Sequence, residues 1–176
     1  MPAPLTVELE KKPLLLHRNP QLDRLFCDNI LSFRTTCANL ETLLEADGYA
    51  SDPPARGVGS YLLAIEGDRG AGKTTLASRM LQLMIKRSPR GEPAWQVEEV
   101  LLRSANQTVT EQINKLMALA AKVEQAKPAY LCVLVDDLLG DAYPHVAELY
   151  DNFRSSSVVF MVFTSCDPKM SDQLDK

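Results

Sequence analysis

One segment of this chain reads Gly67-Asp68-Arg69-Gly70-Ala71-Gly72-Lys73-Thr74. An apolar run, Tyr61-Leu62-Leu63-Ala64-Ile65, comes before it, and a helical pattern from Thr75 to Met84 follows it. The segment matches the phosphate-binding pattern G-x-x-x-x-G-K-[S/T], which is meaningful when a strand precedes it and a helix follows it. Because both are indicated here, the segment predicts a nucleotide-binding loop between a strand and a helix.

The residue types in this segment suit the binding of phosphate. Glycine adopts backbone angles that other residues avoid, so the amides of the loop can turn inward towards phosphate oxygens. The positive end of the following helix favours the same anions. Lys73 is predicted to reach the β- and γ-phosphates as a catalytic residue, and the Thr74 hydroxyl to bind Mg²⁺. The residues predicted to bind the cofactor ATP are Gly67, Asp68, Arg69, Gly70, Ala71, Gly72, Lys73, Thr74 and Thr75.

The composition is typical of a soluble globular domain. Of the 176 residues, 45% are hydrophobic and 24% are charged, and the net charge is −4. The apolar runs are too short to cross a membrane, and the N-terminus lacks the basic and then apolar pattern of a secretory signal. An acidic chain offers no general basic surface to nucleic acid. We therefore expect no membrane contact, and contact with DNA only through a larger assembly.

The cysteines indicate the cellular compartment. Cys27, Cys37, Cys132 and Cys166 show no C-x-x-C spacing and have no histidine cluster nearby. Scattered cysteines of this kind are ordinarily buried free thiols. Since free thiols persist where the environment is reducing, the pattern predicts a cytoplasmic or nuclear protein.

Residues 1–56 are predicted to form an N-terminal leader and an amphipathic helix. Prolines discourage helix formation in residues 1–13. Asn19 and Pro20 make a favourable helix start, and Asp47-Gly48 makes a favourable end. The apolar positions between them recur at steps of three and four, and they are Leu22, Leu25, Phe26, Ile30, Phe33, Cys37, Leu40 and Leu44. This spacing predicts one long helix, which we expect to pack on a sheet.

Residues 57–176 alternate between strand and helix patterns. The predicted strands are 61–66, 96–103, 130–135 and 158–163. The predicted helices are one to about residue 86, one from residue 108 with a capping box to Glu111, one at 143–154 and one within 167–176. This alternation is typical of an α/β fold, a three-layer arrangement in which helices cover both faces of a parallel sheet.

Polar residues end the third and fourth predicted strands. Asp136 and Asp137 end the third strand, and Thr164 and Ser165 end the fourth. Since ligands bind beyond the carboxyl ends of parallel strands, these residues are expected to lie beside the glycine-rich segment. Asp136 would then bind Mg²⁺ together with Thr74, and Asp137 would be a catalytic residue that polarises water. Thr164 could sense the γ-phosphate, and an ordinary strand-end hydroxyl is an equal alternative.

Together these motifs resemble the AAA+ class of ATPases. The resemblance rests on residues 67–75, on Asp136-Asp137 after an additional strand and helix, and on Thr164-Ser165 after a fourth strand. The matching segments are similar to the origin recognition complex and Cdc-type initiator clade, over about residues 14–176. The resemblance implies a phosphate-loop NTPase core that binds ATP and Mg²⁺ as a subunit of a DNA replication complex.

The resemblance also implies a role for each site residue. Lys73 and Thr74 would bind the nucleotide and Mg²⁺, Asp136 the metal and Asp137 the attacking water, while Thr164 would occupy the first sensor region. Asp137 stands where a glutamate is usual, so the resemblance implies nucleotide binding more strongly than hydrolysis.

The sequence also departs from the family at its C-terminal end. It stops before the arginine finger, the fifth strand, the helical lid and the winged-helix domain that the family carries, so we expect a core that ends after the fourth strand and lacks the lid. The first strand would then be an exposed edge. Protein partners or further copies of the chain are expected to cover it.

Other functions fit parts of the pattern. Signalling NTPases of the STAND group share the apolar strand that ends in two acids and the strand that ends in threonine. A GTPase fits Asp137-Leu138-Leu139-Gly140 as D-x-x-G, although too few residues separate it from a guanine-reading motif at 164–167. A non-catalytic interaction module fits the aspartate at 137 and the missing lid. The leading hypothesis is an ATP-binding AAA+-like switch or subunit of a larger assembly.

Overall fold

The computed structural model of the chain describes residues 20–46, 59–86, 95–102 and 108–175. The predicted leader at 1–13, the predicted helix end at Asp47-Gly48 and the predicted boundary at residue 56 lie outside these ranges. Within them, no helix combines the length and the apolar character that are needed to cross a membrane.

One sheet of parallel strands lies at the centre of the fold. Its strands are β1 (Tyr61–Glu66), β2 (Gln96–Leu101), β3 (Tyr130–Asp136) and β4 (Val158–Ser165). Their order is β1-β4-β3-β2, so β4 and β3 are the central pair. All of β4 is buried, and so is all of β3 except Tyr130, which explains why both strands are continuously apolar. The predicted α/β class with a parallel sheet is confirmed.

The ends of three strands differ from the prediction, and β3 continues to Asp136, one residue beyond its predicted end. Thr164 and Ser165 continue β4 because they pair with Ile65 and Glu66 of β1. β2 ends at Leu101, which pairs with the last residue of β3. The Leu102 amide still donates to the Asp136 carbonyl oxygen at 3.0 Å, and the predicted end at residue 103 lies outside the described ranges. The parallel register brings the carboxyl ends of β1, β3 and β4 to one edge of the sheet, where a ligand site is expected.

Helices connect and cover the strands. The α-helices of the described ranges are α1 (Pro20–Asn29), α2 (Leu31–Ala46), α3 (Lys73–Lys86), α4 (Val109–Ala126), α5 (Tyr143–Arg154) and α6 (Met170–Leu174). A short 3-10 helix (Gly140–Ala142) leads into α5. The predicted helices that end near residue 86, span 143–154 and lie within 167–176 are confirmed as α3, α5 and α6.

The core consists of two layers of packed side chains, one on each face of the sheet, and helices cover both layers. Leu134 of β3 packs in the first core, whereas its neighbours Val133 and Val135 pack in the second, because successive strand residues point to opposite faces. The helix residues of the first core include Cys27, Leu40, Leu76, Ala77, Met80, Leu81, Met84 and Ile85. Those of the second include Leu116, Leu119, Val123, Val146, Leu149 and Met170. The three-layer arrangement is therefore confirmed.

The single long helix predicted from Pro20 is wrong, because the chain breaks at Ile30 into α1 and α2. The Asn29 side chain donates to the Leu25 carbonyl oxygen at 2.8 Å, and such side-chain bonds compete with the continuation of a helix. An unbroken helix over this span would be about 40 Å long. The break lets both helices fold against α3 and against each other, rather than mainly on the sheet as predicted.

The predicted capping box begins α4. The Glu111 amide donates to the Thr108 hydroxyl oxygen at 3.3 Å, and the Thr108 amide donates to the Glu111 carboxylate at 3.0 Å. The box therefore satisfies two amides that have no partner within the helix. It also sets where α4 begins to pack against β2 and α5.

Replacing Thr108 with alanine should lower the free energy of unfolding by about 1 kcal/mol, because the Glu111 amide loses its acceptor. Urea denaturation followed by circular dichroism measures this change. Thr110→Ala is the matched control, since Thr110 is exposed in the same turn and is not the capping residue. An equal loss of stability in the two variants would contradict the capping role.

Candidate functional site

The glycine-rich loop (residues 67–72) joins β1 to α3 at the carboxyl edge of the sheet. Gly67, Gly70 and Gly72 have φ angles of 150°, 80° and 86°, a region that residues with side chains rarely adopt. The Gly67 amide donates to the Ser165 carbonyl oxygen at 3.3 Å, and the Ala71 amide to the Asp68 carbonyl oxygen at 3.2 Å. The glycines therefore hold a tight loop anchored on the end of β4.

Lys73 is the first residue of α3, and its side chain extends back over this loop. Its Nζ atom donates to the carbonyl oxygens of Gly67 at 2.8 Å and Asp68 at 2.7 Å. The ammonium group therefore lies against the loop, close to the positively polarised N-terminus of the helix. Two sources of positive charge meet at this point of the carboxyl edge.

A cluster of three side chains lies next to the loop. The Asp136 Oδ1 atom accepts a hydrogen bond from the Thr74 hydroxyl at 2.7 Å and another from the Thr164 hydroxyl at 2.7 Å. Asp136 is 0% exposed and Thr164 is 1% exposed, while Thr74 is half-buried. This carboxylate cluster (Thr74, Asp136 and Thr164) joins the start of α3 to the ends of β3 and β4, as the sequence predicts.

Asp137 turns away from the strand immediately after this cluster. Its φ angle is 70°, in the left-handed region that aspartate tolerates better than most residues. Its amide donates to the Thr164 hydroxyl oxygen at 2.9 Å, and its carboxylate accepts from the Cys166 thiol at 3.2 Å. The two neighbouring aspartates thus have different partners: Asp136 bonds to hydroxyls and Asp137 to a thiol.

Gln112 of α4, a residue that was not predicted to belong to the site, supports the turn after β3. Its side chain is buried at 2% exposure, donates to the Asp137 carbonyl oxygen at 3.0 Å and accepts from the Leu139 amide at 2.9 Å. A signal was present in the sequence, because Gln112 lies at helical spacing from the apolar Val109 and Leu116. A polar residue on an apolar face of a helix usually has a buried partner.

Ser165 has a different role from its neighbour Thr164. Its hydroxyl donates to the Leu138 carbonyl oxygen at 2.7 Å and accepts from the Asp167 amide at 3.1 Å. Asp167 in turn accepts from the Gly140 amide at 2.8 Å. Of the two strand-end hydroxyl residues, Thr164 belongs to the carboxylate cluster and Ser165 holds the loop that follows β3.

Two phenylalanines lie against the glycine-rich loop. The sequence did not predict this contact. A Cβ atom added to Gly72 would lie 3.1 Å from Phe26 Cε1 and 3.2 Å from Phe33 Cε2. The two rings meet edge to face, with centroids 5.9 Å apart. We call Phe26 and Phe33 the aromatic pair; it places α1 and α2 directly against the loop.

The predicted site residues separate into two groups in the structure. Lys73 and Thr74, at the start of α3, lie with the loop and the carboxylate cluster, and the Asp137 backbone is bonded to that cluster. Arg69 and Ala71 are exposed on the loop, while Thr75 is half-buried in the first turn of α3. Arg69, Ala71 and Thr75 therefore lie on the loop and the first turn of α3, outside the carboxylate cluster as defined above.

Comparison of the chain with protein-family models, with curated protein sequences and with solved structures found no match. The function of the site therefore has to follow from the chemistry of its own residues.

Gly72→Ala should destabilise the chain more than Gly70→Ala. Both alanines would adopt a positive φ, at a cost of about 1–2 kcal/mol, but only the one at 72 would also collide with the aromatic pair, whereas nothing lies near the other. We expect Gly72→Ala to lose about 1 kcal/mol more in urea unfolding. Equal losses would contradict the close contact between the aromatic pair and the loop.

Thr164→Val should lower the free energy of unfolding by about 1–3 kcal/mol, because Asp136 loses a donor and the Asp137 amide loses its acceptor inside the protein. The control is Thr164→Ser, which keeps the hydroxyl and loses only a methyl group. Urea unfolding of both variants separates the two effects. If serine at this position is as destabilising as valine, packing rather than hydrogen bonding explains the loss.

Proposed function

We propose that this chain binds ATP together with Mg²⁺ at the carboxyl edge of its sheet and acts as an AAA+-like nucleotide switch or subunit within a larger assembly. One observation carries the proposal: the Thr74 hydroxyl lies 2.7 Å from the Asp136 carboxylate, immediately beyond the glycine-rich loop and Lys73. A hydroxyl and a carboxylate from distant parts of the chain meet beside a loop suited to phosphate.

The loop and Lys73 would hold the phosphates. Lys73 Nζ donates to two neutral carbonyl oxygens of the loop, and a charged phosphate oxygen is a stronger acceptor, by roughly twofold. The ammonium group can therefore exchange these partners for a phosphate with little movement. The N-terminus of α3 adds to the attraction for an anion.

Thr74 and Asp136 would bind the metal. Mg²⁺ is usually held by one or two carboxylates together with the oxygens of a phosphate substrate. No group of three or more histidine, cysteine, aspartate or glutamate side chains suited to a metal occurs in the described ranges, so a metal here would rely on phosphate oxygens as well. When bound, Mg²⁺ would neutralise charge on the phosphates.

We propose that hydrolysis at this site is slow. Asp137 is one methylene shorter than glutamate, and its carboxylate accepts a hydrogen bond from the Cys166 thiol at 3.2 Å. This bond engages Oδ1 alone, and the other carboxylate oxygen can still accept from water, so the shorter side chain, rather than this bond, is the reason to expect slow turnover. Slow turnover suits a switch better than it suits a continuously working motor.

The outermost strand on one side of the sheet, β1, supports a role within an assembly. β1 is an edge strand of the described sheet, and its residues Leu62, Leu63 and Ile65 are only half-buried. An apolar strand at an edge is a surface that another chain can cover. Since the net charge is −4, we propose that any contact with DNA is made through neighbouring subunits.

Lys73→Ala should weaken the binding of labelled ATP with Mg²⁺ by at least about tenfold, or about 1.4 kcal/mol, because the phosphates lose their ammonium partner. Equilibrium binding measured by isothermal titration calorimetry gives the two dissociation constants. Lys127→Ala is the matched control, since it removes the same charge from the exposed residue that ends α4, near the opposite edge of the sheet. If the two variants bind ATP equally well, the proposal fails.

A competition experiment between ATP and GTP tests whether the site prefers adenine or guanine. The proposal expects ATP to displace GTP, and a strong preference for GTP would favour the GTPase alternative.

The rate of ATP hydrolysis by the isolated chain tests the proposal of slow turnover, because brisk hydrolysis would contradict a slow switch.

A further inference from the structure

Phe26 of α1 is an exposed aromatic residue beside the glycine-rich loop. It is 45% exposed, whereas every other aromatic residue in the described ranges is buried or half-buried. Aromatic side chains ordinarily bury most of their large apolar surface. Phe26 therefore offers, at this place in the fold, a ring surface that another aromatic group can cover.

The Phe26 ring lies on the side of the loop that Gly72 leaves open. Its Cε1 atom is 3.1 Å from the position that a Cβ atom of Gly72 would take. Gly72 directly precedes Lys73 and Thr74, the residues proposed above to hold the phosphates and Mg²⁺. A nucleotide held there has to place its ribose and base outside the loop, among the groups that border it.

Packing against α2 fixes the position of the Phe26 ring. The rings of Phe26 and Phe33 meet edge to face, with centroids 5.9 Å apart and planes at 61°. Phe33 is half-buried and packs against the first core. Phe33 therefore anchors the pair in the protein, while Phe26 carries the exposed surface.

The groups around the loop match the two chemical parts of a nucleotide. The Lys73 ammonium and the carboxylate cluster suit phosphate and Mg²⁺, whereas the exposed surface of α1 next to the loop is apolar. Leu22, one helical turn before Phe26, is 61% exposed. A nucleoside triphosphate has the same division, because its phosphates are anionic and its base is flat and aromatic.

We propose that Phe26 stacks on the base of the nucleotide whose phosphates the glycine-rich loop holds. This inference rests on the ATP site proposed above and adds to it the residue that binds the base. Since every base has a π-face, stacking of this kind raises affinity without reading the edge of the base. Phe33 is the positioning residue that holds the Phe26 ring in place.

A comparison of ATP with tripolyphosphate tests the stacking, because tripolyphosphate has no ribose or base. Phe26→Ala should weaken the binding of ATP with Mg²⁺ about tenfold, the loss expected for one stacked base. It should leave the affinity for tripolyphosphate with Mg²⁺ unchanged. Isothermal titration calorimetry on the full chain gives the four dissociation constants. An equal loss for both ligands, or no loss for ATP, would overturn the inference.

Leu43→Ala is the matched control for the loss of exposed apolar surface. Leu43 is 41% exposed and lies on α2, ten residues after Phe33, so its truncation should change neither affinity. Circular dichroism shows whether both variants are folded. If Leu43→Ala weakens ATP as much as Phe26→Ala does, the loss comes from the helices in general and the inference fails.

Phe26→Trp tests the same contact without removing the ring. Trp95 is the one tryptophan of the chain and is 2% exposed, so its emission is a background that the wild-type chain measures. The indole introduced at position 26 should lose fluorescence when ATP is added, because a stacked base quenches it, and should keep its fluorescence with tripolyphosphate. The same response to both ligands would contradict stacking.

The failure of this inference differs from the failure of the nucleotide site. A wild-type chain that binds neither ATP nor tripolyphosphate overturns both proposals. A wild-type chain that binds ATP, together with a Phe26→Ala variant that binds it equally well, overturns the stacking alone.

Discussion

The structure depends on one buried carboxylate. Asp136 is 0% exposed, and a carboxylate in that position is costly unless hydrogen bonds replace the water that it loses. Hydroxyls from Thr74 and Thr164 provide those bonds at 2.7 Å each. Thr74 belongs to α3 and Thr164 belongs to β4. The same two bonds therefore hold the start of α3 and the ends of β3 and β4 together beside the glycine-rich loop.

The parallel sheet explains why a site can form there. In a parallel sheet all carboxyl ends lie at one edge, so β1, β3 and β4 deliver the glycine-rich loop, Asp136 and Thr164 to the same region. The loop after β3 is then held by polar side chains from other elements, Gln112 from α4 and Ser165 from β4. A rigid edge of this kind favours a ligand site whose groups are already in position.

The N-terminal helices contact the glycine-rich loop of the candidate site. α1 and α2 pack against α3 and against each other, which places the aromatic pair beside Gly72. A change in how these two helices pack would therefore act on the loop, because a Cβ atom at Gly72 would lie only 3.1–3.3 Å from the two rings.

Local patterns in the sequence were enough to predict most elements and the positions of the loop, Asp136 and Thr164. Apolar periodicity, the capping box at Thr108 and the glycine spacing depend on neighbours within one turn or one strand. Only the tertiary structure decided the bonds made by Gln112 and the contacts of Phe26 and Phe33 with Gly72. These bonds and contacts join residues that are far apart in the chain and meet only through packing. The spacing of residues along one helix does not show which residues of another element will lie beside it.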